Sequence, residues 1–91
     1  MNKSYQLLWS ESAKKDLSKL DKQMAKFIIL QTSSAIKQSV DLTKVLVPLK
    51  YAKKGQHKYR IGNYRVICTL SHHELLVVAI RVGHRKDMYQ K

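Results

Sequence analysis

In KYRIGNYRVICTL, residues 58 to 70, two strand-like runs meet at Gly62-Asn63. No other segment so narrows what the chain can fold into. A glycine followed by an asparagine between alternating apolar and polar residues specifies a tight two-residue β-hairpin. Ile61 then faces Tyr64, Arg60 faces Arg65 and Lys58 falls opposite Ile67. Because side chains alternate across a strand, Lys58, Arg60 and Arg65 all lie on one face of the ribbon. Like charges directly across a ribbon destabilise it by roughly 0.2–1 kcal/mol a pair. A basic face kept at that cost points to an anion outside the fold.

The rest of the chain supplies a frame for the hairpin. SYQLLW, Ser4 to Trp9, alternates as a first strand, and Ser10 is suited to cap a helix in which Ala13, Leu17 and Leu20 recur at helical spacing. That helix is expected from about Glu11 to Leu20. Asp21 caps a second, with Met24, Phe27, Ile28, Gln31 and Ala35 on one stripe as far as about Gln38. From Ser39 to Gly55 the periodicity dissolves around Pro48 and a basic cluster at Lys50, Lys53 and Lys54, with Val45 to Leu49 packing on the core. Strands follow at about His57 to Ile61, Tyr64 to Leu70 and Leu75 to Val82, the last two joined by the SHHE loop. Arg81 is expected on the face opposite Val82, anchoring the tail.

The order β, α, α, β, β, β implies a single α+β domain over residues 1–91, with a helix hairpin on one face of a four-stranded, largely antiparallel sheet. If the helices cover the side of Tyr59, Tyr64, Val66 and Cys68, the cations line the uncovered side.

Eighteen Lys and Arg against six Asp and Glu give a net charge of +12. A surplus that large repels itself in the compact state and favours a polyanionic partner. The longest apolar run, LLVVAI, is strand-sized, so no membrane span is expected, and the amino terminus lacks the pattern of a secretory signal. With one cysteine, Cys68, there is no internal disulfide framework. These features suit a cytoplasmic protein.

The residue types restrict the chemistry. The six carboxylates are scattered, His72 and His73 are adjacent in a turn, and no Cys or His stands at zinc spacing, so neither a metal site nor another cofactor is expected. Three glycines cannot build a phosphate-cradling loop beside the turns they must serve. Cations, imidazole and phenol remain. They suffice to cleave RNA, which carries its own nucleophile in the 2′-hydroxyl. Arg65, Lys58 and Arg85 can stabilise phosphorane charge, His84 can transfer protons, and Tyr89 can stack on a base, while Lys53, Lys54 and Arg60 grip the strand. The same groups could equally bind phosphates without cutting.

KYRIGNYRVICTL followed by LLVVAIRVGHRKDMY closely resembles the RelE/ParE family of bacterial toxins, and the order of elements extends the likeness to nearly the whole chain. The resemblance implies a toxin of a type II toxin–antitoxin pair. RelE-like members cut mRNA in the ribosomal A site without metal, leaving a 2′,3′-cyclic phosphate; ParE-like members poison DNA gyrase. On the RelE-like reading Arg65 stabilises the transition state, Lys58, with Lys54, assists deprotonation, Arg85 serves the leaving group and Tyr89 stacks on a base. His84 stands where some relatives carry lysine. The partners implied are a cognate acidic antitoxin, the ribosome and mRNA. The toxin alone is expected to be a monomer, assembling further with its antitoxin.

Overall fold

The computed structural model of the protein describes residues 5–39, 41–49 and 55–84. Its first strand, β1 (Gln6–Trp9), leads directly into helix α1 (Glu11–Ser18). The reason for the sharp switch is Ser10, whose Oγ accepts from the Ala13 amide at 3.1 Å and satisfies one of the donors that a helix start leaves unpaired. Helix α1 stops at Ser18, two residues short of the expected end, with the amides of Lys19 and Leu20 turning back to the Asp16 and Leu17 carbonyls. Asp21 then caps helix α2 (Lys22–Gln38), accepting from the amides of Gln23 at 3.1 Å and Met24 at 3.4 Å.

The buried stripe of α2 is Ile28, Thr32 and Ile36. It is turned from the expected stripe, since Phe27 and Gln31 are exposed. The helix carries apolar residues on more than one side, so periodicity alone leaves its phase open; packing on the sheet decides it. Thr32 is tolerated in the core because its hydroxyl donates to the Ile28 carbonyl at 2.7 Å.

A 3₁₀ turn, Leu42–Lys44, and a two-residue strand β2 (Val47–Pro48) occupy the connection. Of Val45 to Leu49, expected to pack on the core, Leu46 is buried but Val47 and Pro48 are exposed, and Leu42 is buried as well. Strands β3 (Gln56–Ile61), β4 (Tyr64–Ser71) and β5 (Leu76–His84) follow, in the sheet order β1-β5-β4-β3-β2. The sheet thus has five strands, the short β2 adding one to the four read from the sequence. It is mixed: β1 runs parallel to β5 and all other pairings are antiparallel.

Ala13, Leu17, Ile28 and Ile36 from the helices meet Ile61, Val66, Cys68, Val77, Ala79 and Val82 from the sheet in one core. The helices therefore cover the face of Val66 and Cys68. At the hairpin, Gly62 has φ 56° while Asn63 does not share its positive φ, the pattern of a type II′ turn. No helix among the described residues is long and apolar enough to cross a membrane.

Candidate nucleic-acid interface

The register of the hairpin builds the candidate site. Ile61 pairs with Tyr64, Arg60 with Arg65 and Lys58 with Ile67, as the sequence requires. On the far side of β4, Arg65 pairs with Gly83 and Ile67 with Arg81. Since Val66 faces the core, its neighbours Arg65 and Ile67 belong to the face the helices leave uncovered, together with Lys58 and Arg60. Neighbouring side chains on one sheet face lie about 4.5–5.5 Å apart at Cβ. Arg60 and Arg65 stand in that relation, and Lys58 lies two residues from Arg60 along β3.

The three cations differ in exposure. Arg60 is exposed and Lys58 half-buried, but Arg65 is only 3 % exposed. Of the cations expected to line the open side, Arg65 is thus buried rather than at its surface. Opposite Gly83, Arg65 has no side chain beside it on β5, which leaves its long stem room to lie along the sheet.

His84 is placed differently. It pairs with Tyr64, whose ring it meets edge-on at a centroid distance of 5.4 Å and an interplanar angle of 72°. Alternation puts both on the face of Val66 and Val82, so His84 does not join the face of Lys58, Arg60 and Arg65. Lys53, Lys54, Arg85 and Tyr89 lie outside the described residues. Among the described residues no three His, Cys, Asp or Glu side chains gather in a metal-binding group. Cys68 is fully buried, and that burial pushes its thiol up to about 12, far from a reactive thiolate.

The residue that sequence reasoning missed is Asp16. Strand β1 pairs with β5 only as far as Ala79, so the outward backbone of β5 loses its ladder there. Residues of and beside α1 take over: the Ser10 Oγ donates to the Ile80 carbonyl at 3.3 Å, and the Asp16 carboxylate accepts from the Val82 amide at 2.8 Å. Asp16 also accepts from Arg81 Nε at 2.8 Å and Nη2 at 3.4 Å. Burial alone raises the carboxyl, but the bonds from Arg81 and Val82 outweigh it and hold the group below its ordinary value. Arg81 is thus tied to α1; the tail it was expected to anchor lies outside the described residues. A signal was present, since Asp16 is the one acid among Lys14, Lys15 and Lys19, and Arg81 the one charge in an apolar strand. Through this clasp α1 fixes the strand end that carries Gly83 beside Arg65.

Comparison with known proteins agrees with this architecture. Residues 7–89 match the family model described as the ParE toxin of type II toxin–antitoxin systems. The chain therefore belongs to the RelE/ParE family of toxins. No curated protein matches it. Among solved structures, a chain of the RelBE2 toxin–antitoxin complex of Mycobacterium tuberculosis is 24% identical with a TM-score of 0.76, over 90% of this chain and 99% of that one. The intact RelBE toxin–antitoxin complex of Escherichia coli gives 18% identity and a TM-score of 0.67, over 89% and 96%. YafQ of E. coli gives 21% and 0.65, over 94% and 99%. At such identities the likeness fixes the fold.

Proposed function

We propose that this toxin is a metal-independent endoribonuclease that cuts mRNA in the ribosomal A site. One observation carries the reading: Lys58, Arg60 and Arg65 share a sheet face that the helices do not cover. The substrate phosphate would meet Arg60 and Lys58 first, with the charge of Arg65 beneath them. A cation shielded from bulk water acts more strongly on developing phosphorane charge than an exposed one. In the cleavage, the 2′-hydroxyl oxygen attacks the adjacent phosphorus as its proton passes to water, the Lys58 ammonium favouring the alkoxide that forms, and the bond to the 5′-oxygen breaks as that oxygen takes a proton from water. The products are a 2′,3′-cyclic phosphate and a 5′-hydroxyl. Arg85 is assigned to the leaving oxygen, Tyr89 to base stacking, and Lys53 and Lys54 to the RNA backbone. His84 is given no step, because its register partner is Tyr64 on the other face.

Incubation with programmed ribosomes and mapping of 5′ ends tests the proposal. Message should be cut at one position relative to the A site. Arg65→Ala should slow cleavage by roughly 10²–10³-fold, the cost typical of losing one transition-state donor, with circular dichroism confirming that the variant is folded. Intact message at saturating toxin overturns the reading.

A second reading has its own support, since the matching family model is that of ParE toxins. A gyrase inhibitor would block DNA supercoiling and leave message ends unchanged. Either toxin would be neutralised by a cognate antitoxin that is acidic enough to offset +12 and folds on contact.

A further inference from the structure

Beside the cations, the uncovered sheet face holds a row whose chemistry the fold does not use. Next to the row of Lys58 and Ile67 runs another made by Gln56, Thr69, Val78 and Leu8. Val78 belongs to this face because its neighbours Val77 and Ala79 are buried in the core, and Leu8 because Leu7 and Trp9 pack there. The two rows are about 6.6–6.8 Å apart along the strands. Gln56 and Thr69 are half-buried and stand opposite each other, yet neither side chain is hydrogen-bonded among the described residues. Ile67 and Val78 are half-buried and Leu8 is 45 % exposed, so aliphatic surface adjoins that amide and hydroxyl.

These neighbours together define a ligand. Lys58 and Arg60 attract a phosphate, the amide and hydroxyl suit a planar edge bearing donors and acceptors, and the aliphatic floor suits the face of a ring. A nucleotide of single-stranded RNA presents all three, because its base edges are not taken up by pairing. The amide selects among the bases. Adenine sets an N6 donor beside an N7 acceptor, which one glutamine matches with its carbonyl and its NH2 together. Guanine sets two acceptors on that edge, and one of them would face the glutamine carbonyl. Pyrimidines offer a single polar group there.

We infer that Gln56 and Thr69 read an adenine of single-stranded RNA whose adjoining phosphate lies on Lys58 and Arg60. The Gln56 Oε1 accepts from N6 and its Nε2 donates to N7, while the Thr69 hydroxyl accepts the second N6 hydrogen. The inference rests on the proposed binding of RNA at this face but not on cleavage there.

The test uses the full chain and labelled short oligonucleotides: a uridine run, and the same run with one central adenine, guanine or cytosine. All carry 2′-methoxy groups, so none can be cut. Fluorescence anisotropy should show the adenine oligonucleotide binding roughly ten-fold more tightly than the others. Gln56→Leu, close in volume but without donor or acceptor, should bring adenine down to the level of uridine. Thr69→Val should remove a smaller part of the preference, and Lys58→Ala should weaken all the oligonucleotides alike. Neither Gln56 nor Thr69 belongs to the core, so their variants keep the fold, which circular dichroism checks. Equal affinity for every oligonucleotide, preference for another base, or an adenine preference that survives both substitutions overturns the inference. So does failure to bind any of them. Cleavage assays separate this inference from the nuclease: adenine preference with intact ribosome-bound message keeps the subsite and loses the nuclease, whereas cut message without adenine preference does the reverse.

Discussion

Asp16 gathers more of the structure than its place in a lysine-rich helix suggests. It holds a side chain, Arg81, and a backbone amide, Val82, from a strand more than sixty residues away. Its side chain is only 12% exposed whereas that of Arg81 is 61% exposed, so the bond from the Val82 amide is the better shielded from water and salt. Asp16→Asn removes the charge but keeps an oxygen for the amide, and should cost about 1–3 kcal/mol in urea unfolding at neutral pH. The carboxyl titrates below its ordinary value in the folded state. Its contribution is therefore fully present above the unfolded value and is lost as pH falls through the folded one. Unfolding the parent and the Asn variant across that acidic range should show their difference closing; a constant difference would mean that charge is not what Asp16 supplies.

At the level of elements, the hairpin was the most legible part of the chain. The pairing of Arg60 with Arg65 and of Lys58 with Ile67 follows from one dipeptide and the two-residue period of a strand. The helix caps were legible for a similar reason, because Ser10 and Asp21 act on amides two or three residues away. Longer-range features were not. The phase of α2 depends on which of several apolar stripes meets the sheet, and the fifth strand is two residues that pair only because β3 lies alongside. The burial of Arg65 and the face of His84 likewise depend on the β4–β5 register, including a shift between Ile67 and Cys68. The phase is measurable: Ile28→Ala should destabilise by about 2–5 kcal/mol. Phe27→Ala should cost far less, within about 1 kcal/mol, because its side chain is already half in water. Chemical denaturation of both variants distinguishes the observed stripe from the one centred on Phe27.

For the molecule as a whole, the +12 surplus makes association with any polyanion depend on salt. For single strands each neutralised phosphate contributes roughly 0.7 to the slope of log affinity against log salt. Replacing Lys58 and Arg60 together by alanine should therefore flatten the slope for a short single-stranded RNA by roughly 1–1.5. An unchanged slope in filter binding would place the RNA on another surface, such as the lysine-bearing side of α1. The sign and size of the net charge are read directly from composition. The surface that uses it is not, because that depends on which face the helices cover.

The position of β5 also bears on how the protein is made. Gln6 pairs with Leu76, seventy residues later, and β5 lies between β1 and β4 in the sheet. Among the described residues the last strand made therefore stands next to the first, with the β3–β4 ribbon on its other side. A nascent chain that has not yet extruded β5 has neither a place for its amino-terminal strand nor a backing for the ribbon. β5 must therefore be made before β1 gains its parallel neighbour and the ribbon its backing, so the sheet closes late relative to the order of synthesis.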